Sequence, residues 1–206
     1  MADCPYSADR TALLVVDPYN DFMSEGGKFY EATREVAEAV GFYANMRRLL
    51  PAIRAAEILV VVVPHHRWRG DDIEARPYMT PWQARVNKVR AFADGSWGGA
   101  FHDEFGPKPG DVVAYEHRAQ SGFTDTDLDA QLRRREIAKL IVVGMVANAS
   151  VEGTARAAVE LGYHLTLVRD ATAAFDHRAM LAAHEVNGPL YAHSIQTTAA
   201  LVALLP

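Results

Sequence analysis

The stretch Leu140–Arg156, LIVVGMVANASVEGTAR, decides how the rest of this 206-residue chain is read. Leu140 to Val143 form an apolar run that ends at Gly144, the pattern of a fully buried strand. From Asn148 onward, Ala155, Ala157, Ala158, Val159 and Leu161 recur among polar residues, which predicts a helix with one buried face. Strand, tight turn and helix therefore succeed one another directly. Ser150 falls at the helix start, where unpaired backbone N–H groups and the positive end of the helix dipole favour an anion or a developing oxyanion. A nucleophile is well placed there. Ser150 and Asn148 are equally good helix caps, so the position alone does not choose between chemistry and capping.

The same alternation extends in both directions. Thr11–Asp17 (TALLVVD) is a continuous apolar run ending in a carboxylate and stopped by Pro18, as expected of a parallel strand covered on both faces. Ala32–Glu57 reads as one long helix or two shorter ones, with Pro51 marking a kink or a new start. Further strands are expected at Ile58–Val63, Asp111–Glu116, Lys139–Gly144, His164–Arg169 and Ser194–Gln196. Helices are expected at Thr126–Arg135, from Ser150, at Arg178–Asn187 and at the C-terminus. The proline-rich segment Pro64–Pro109 holds all three tryptophans and a short helical piece at Pro81–Phe92, and reads as a wall around a site. Alternating strands and helices with short connections predict a parallel sheet between two helical layers, in a single domain over residues 1–206.

Composition narrows the function. The net charge is −5, and the one basic run, Arg133–Arg135, fits a solvated helix face, so nucleic-acid and membrane partners are not expected. No signal-like N-terminus and no apolar run approaching ~18 residues is present, which makes a cytoplasmic enzyme acting on a small molecule the expectation. The single cysteine, Cys4, allows neither an intrachain disulfide nor a cysteine zinc site.

In sheets of this kind ligands sit beyond the carboxyl ends of the strands. The sequence places Asp17, Glu116 and Ser150 there. A charged group ending a buried strand is costly unless paired or solvated, which makes Asp17 and Glu116 candidates for chemistry, with ion pairing or capping as the alternative. No G-x-S-x-G elbow surrounds Ser150, and no glycine-rich phosphate loop follows any strand, so no nucleotide cofactor is expected. His65 and His66, with Asp71 and Asp72 beyond them, raise a metal site. Adjacent residues on an extended chain point opposite ways, which favours pocket-wall roles instead, and no metal is expected. Tyr19, Phe22, Trp68, Tyr78, Trp82 and Trp97 offer aromatic surface, while His65, His66, Arg67, His117, Arg118 and Asn148 offer polar contacts for a substrate, the first choice being a neutral or partly aromatic amide. The alternative for each aromatic is core packing. GSWGG at Gly95–Gly99 is expected to be a tight loop presenting Trp97 to the pocket.

Three ordered motifs carry a family resemblance: LLVVDPYNDF (Leu13–Phe22), EHRAQSGFTDTDLD (Glu116–Asp129), and VVGMVANASVEGTARAAVELGY (Val142–Tyr163) with the following DATAAF. Together they resemble the isochorismatase-like, or cysteine hydrolase, superfamily from about Thr11 to the C-terminus. The resemblance implies a six-stranded parallel sheet flanked by helices on both faces, and a homo-oligomer, dimer or tetramer. It also implies a catalytic aspartate, lysine and cysteine. Asp17 matches the aspartate, Glu116 is read at the lysine position, and Ser150 stands at the cysteine position. A non-proline cis peptide is implied before the nucleophile loop, read at Val146–Ala147, with the N–H groups of Ala147 and Ser150 as oxyanion-hole candidates.

These departures leave several functions open. A serine hydroxyl is far harder to deprotonate than a thiol, which titrates near ~8.5 and lower at a helix N-terminus. Glu116 beside Asp17 would push one carboxyl pKa upward. One possibility is an amidase with Asp17 as base, Glu116 as acid or substrate-orienting group and position 150 as nucleophile, Ser150 being an exchange for cysteine. Another is vinyl-ether hydrolysis, with Asp17 as proton donor and no nucleophile, as in the family's cysteine-free members. The third is a homologue that binds a small molecule without turnover.

Overall fold

The computed structural model describes residues 5–70 and 78–206; Cys4, Asp71 and Asp72 lie outside them. Its sheet is built from β1 (Thr11–Val16), β2 (Leu59–Val63), β3 (Val112–Val113), β4 (Lys139–Met145), β5 (His164–Ala173) and β6 (Ser194–Gln196). The spatial order is β3-β2-β1-β4-β5-β6, with every neighbouring pair parallel.

Side-chain alternation along the central strands feeds two separate cores. Leu13, Val15, Ile141 and Val143 pack on one face with Val36 and Ala37 of α2 (Tyr30–Ala39) and with Phe42, Met46, Leu49 and Ile53 of α3 (Phe42–Ala55). Ala12, Leu14, Val16, Leu140 and Val142 pack on the other with Leu128 and Leu132 of α5 (Leu128–Arg133) and Ala155 and Ala158 of α6 (Glu152–Glu160). The expected three-layer α/β sandwich is the observed one. The remaining helices are α1 (Asn20–Met23), α4 (Pro81–Val89), α7 (His177–Leu181) and α8 (Thr198–Val202).

Three expected boundaries move. The helical region after Ala32 divides at Gly41, whose φ of 69° suits a residue without a Cβ, whereas Pro51 lies inside α3. The helix expected over Arg178–Asn187 ends at Leu181 and continues as a π-helical turn, Ala182–Asn187. The third strand shrinks to Val112–Val113, since an edge strand has a ladder on one side only. Its last sheet bond is Ala114 N–H to the Val62 carbonyl, 3.0 Å. Glu116 therefore lies past the sheet, on an extension that runs beside His65 and His66.

Candidate active site

From β1 the chain builds one half of the sheet through β2 and β3, and from β4 the other through β5 and β6. The crevice beyond the ends of β1 and β4 is thus the topological switch point. Asp17 follows β1 directly. Its N–H still bonds to the Val63 carbonyl at 3.0 Å, but its φ of 52° turns the chain sharply into the crevice. A non-glycine residue in this left-handed region is uncommon, and such positions concentrate at functional sites. The carboxylate is 1% exposed.

Its partner is His117. Asp17 Oδ1 lies 3.0 Å from His117 Nε2, while Asp17 Oδ2 is buried with no hydrogen-bond partner among the described residues. His117 Nδ1 lies 3.2 Å from the Ala119 carbonyl, which only accepts, so Nδ1 carries a proton. Both imidazole nitrogens are then committed. A proton also has to lie between Nε2 and Oδ1 for that contact to be a hydrogen bond. His117 therefore orients Asp17 and has no free nitrogen to act as base toward a serine, which separates the arrangement from a Ser-His-Asp triad. The unengaged Asp17 Oδ2 is the one acceptor left in the pair.

Glu116 departs from its expected place beside Asp17. Its carboxylate is chelated by two arginines. Arg67 Nη1 donates to Oε1 at 2.6 Å and the Arg67 N–H to Oε2 at 3.1 Å, while Arg69 forms a fork at 2.7 and 2.8 Å. His66 Nδ1 lies 3.2 Å from Oε2, and the Arg67 guanidinium stacks over Tyr19 and Phe101. Burial alone would raise the Glu116 carboxyl, but hydrogen bonds from His66, Arg69 and Arg67 outweigh it and hold the group well below the carboxylate range. The expected upward push from a carboxylate pair is overturned, because adjacent residues 116 and 117 face different neighbours. His117, not Glu116, is the residue beside Asp17.

Glu116→Gln should thus act on stability. Two guanidinium groups would face a neutral amide, a loss of about 1–2 kcal/mol after solvent screening, measurable by urea unfolding. A carboxyl whose folded pKa is depressed stabilises above its ordinary value of 4.5 and loses that contribution as pH falls further. The gap between wild type and variant should accordingly close as the pH drops below 4.5.

Ser150 comes from the other side of the crevice. Gly144, with φ 114°, packs against the Val16 backbone, where any Cβ would collide, and the β4–β5 register shifts between Val142 and Gly144. The cis peptide lies at Met145–Val146, one bond before the expected position. Ala147–Val151 form a single π-helical turn leading into α6. Ser150 sits in it at 3% exposure, with Val146 and Ala147 buried beside it. The N–H groups of Ala149 and Val151 both go to the Val146 carbonyl, at 3.0 and 3.3 Å.

The remaining candidates divide. His65 is buried against His117 and Phe92. Its Nδ1 donates to the His66 carbonyl at 2.9 Å, and its Nε2 has no partner among the described residues. Burial, followed by the neighbouring His117, pulls the His65 pKa down to about 4, so the ring is a neutral acceptor. Tyr19 and Phe22 are core residues. The Tyr19 hydroxyl donates to the His65 carbonyl at 2.7 Å, and Phe22 stacks among Phe29, Trp82 and Phe92. Trp68 braces the wall through its Nε1–H to Asn87, 3.0 Å. Trp97 is 55% exposed, so the glycine loop does not turn it inward. Gly98 instead lets the loop close onto the buried Asp21, whose carboxylate accepts from the N–H groups of Lys28 and Phe92. Arg118 is exposed, its carbonyl accepting from Gln83. Asn148 opens onto a cleft that also takes in Trp82, Arg85, Gln120 and Phe175. Arg85 and Gln120 were not legible as site residues, because nothing in their local sequence separates them from surface residues.

The sequence of residues 11–198 matches the family model described as an isochorismatase domain. The chain belongs to the isochorismatase family. It is an isochorismatase-like hydrolase, and among its relatives is the ureidoacrylate amidohydrolase RutB of Rhizobium rhizogenes, 35% identical over 174 residues, 79% of this chain and 70% of that protein. The RutB protein of Agrobacterium fabrum is 34% identical over 79% of this chain and 75% of its own length. Among solved structures, a cysteine hydrolase from Pseudomonas syringae pv. phaseolicola superposes with a TM-score of 0.78 at 26% identity, covering 98% of this chain and 94% of the other. N-carbamoylsarcosine amidase from Thermoplasma acidophilum gives 0.68 at 29% identity, covering 92% and 96%. Within this isochorismatase-family framework the chain puts a histidine against the aspartate and a serine at the head of α6.

Proposed function

We propose that this isochorismatase-family hydrolase cleaves the C–N bond of a small-molecule amide, with Asp17 as general base and Ser150 as nucleophile. The observation that carries the proposal is the division of labour at Asp17: one oxygen held by His117, the other buried and unengaged. The Ser150 Oγ–H proton passes to Asp17 Oδ2 as Oγ bonds to the substrate carbonyl carbon. The oxyanion forms against backbone N–H groups at the head of the turn, with those of Ala147 and Ser150 as the candidates, while the N–H groups of Ala149 and Val151 are engaged by the Val146 carbonyl. Protonated Asp17 then gives its proton to the departing nitrogen as the C–N bond breaks. Water, deprotonated by Asp17, cleaves the ester to release the acid and regenerate Ser150. Relatives named amidohydrolase and amidase support the bond type. The same proposal places the enzyme in the cytoplasm as a homo-oligomer, dimer or tetramer. Among the described residues no helix is long and apolar enough to cross a membrane.

The test compares wild type and Asp17→Asn on a panel of small amides and ureido compounds plus isochorismate, with products followed by mass spectrometry. Release of acid and amine by wild type, lost in Asp17→Asn, is the expected result. Turnover of the vinyl ether alone would replace amide cleavage with nucleophile-free protonation by Asp17.

A further inference from the structure

Outside the Asp17–His117 pair, the Arg85 cation lies beside the cleft that reaches Asn148 and Ala149, next to the nucleophile. The helix α4 begins with a capping box, in which Thr80 accepts from the Gln83 N–H and the Gln83 side chain accepts from the Thr80 N–H, with Pro81 in its first turn. That start fixes the helix register. Trp82 and Arg85, three residues apart, then share one face. Trp82 packs at ring-centroid distances of 5.2 Å from Phe29 and 5.7 Å from Phe175. The Arg85 guanidinium lies over the same two rings, 5.3 Å from the Phe29 centroid and 4.9 Å from that of Phe175. Among the described residues, no carboxylate pairs with Arg85. In the same wall Arg67 pairs with Glu116, and Arg69 with Glu116 and Asp94.

Arg85 and Trp82 line a cleft of about 320 Å³ with Gln120, Phe175, Asn148 and Ala149, the last two immediately preceding Ser150. A guanidinium stacked on aromatic faces keeps its edge N–H groups free in a fixed plane, which suits bidentate binding of a carboxylate. In the same wall the buried Trp82 Nε1–H has no acceptor among the described residues. Resting on the amidase proposal above, we infer that Arg85 is the specificity-determining residue of this cleft and that the substrate amide carries a carboxylate on the side away from the scissile bond. The donor set of the cleft thus favours an anionic substrate over the neutral amide expected from sequence.

The probes are 3-ureidopropanoate and its methyl ester, which share a ureido group and differ in charge. Wild type is expected to prefer the acid by about 30-fold in kcat/KM, mostly through KM, and Arg85→Gln to abolish that preference by bringing the acid's kcat/KM down to that of the ester. A preference that survives in Arg85→Gln overturns the inference, as does an equal loss on both substrates, which marks a structural role. Should neither compound be turned over, the amidase proposal fails on this panel, and calorimetric binding of 3-ureidopropanoate to wild type and Arg85→Gln still decides the subsite. Equal affinity in the two proteins, or no binding to either, overturns it.

Discussion

Asp17→Asn is expected to lower kcat for amide hydrolysis by about 10³-fold or more while leaving the protein folded and at least as heat-stable as wild type. The amide is nearly isosteric with the carboxylate, and its NH2 can donate to Nε2 of a neutral His117, which lies 3.0 Å from Asp17 Oδ1 in wild type. It has no lone pair basic enough to take the serine proton. Meanwhile the substitution removes a buried charge whose second oxygen has no partner, an arrangement that costs stability. Activity and stability should therefore separate, the first collapsing and the second holding or rising. Thermal melts beside steady-state kinetics check this, and a variant that loses both together would assign Asp17 a structural role.

The second large effect is at position 150. Ser150→Ala should cost about 10⁴-fold or more, because without an attacking atom only binding and the oxyanion donors remain. Ser150→Cys should run the other way, raising the rate at neutral pH by about 10- to 100-fold. A carboxylate is a poor base for a hydroxyl, whereas a thiol titrating near ~8.5, lowered further at a helix start, is within its reach. The His117 arrangement sharpens this comparison. With both nitrogens committed, the histidine cannot rescue a serine as it does in a triad. Kinetics of the three proteins on one amide give the ordering; an alanine form as fast as serine would remove the nucleophile from the mechanism.

The sheet was legible because its strands are fully buried, so Thr11–Val16, Leu59–Val63 and Lys139–Met145 read as unbroken apolar runs with helical periods between them. Where burial is one-sided the signal weakened, and the edge strand β3 came out two residues long where six were expected. That error carried into the site. Treating Glu116 as the end of a strand put it beside Asp17, whereas neighbouring residues of an extended segment face opposite ways, and His117 is the one turned inward. Nothing local in the sequence distinguishes the two; the long-range pairing of His65 with His117 does, and it exists only in the folded chain. Aromatic residues behaved similarly. Tyr19 and Phe22 look like pocket surface by type, yet ring stacking with Phe92 and Phe29 makes them core. Arg85 was missed for the converse reason, because an arginine on an amphipathic helix reads as solvated until its two aromatic neighbours, Phe29 and Phe175, arrive from distant segments.

The proposal that Ser150 attacks an amide carbonyl under Asp17 catalysis is tested most directly by rapid-quench mass spectrometry during turnover of a small amide. The peptide containing Ser150 should gain the mass of the acyl group in wild type and remain unmodified in Ser150→Ala. Amide turnover with no adduct on that peptide, or an adduct on another residue, would contradict the mechanism.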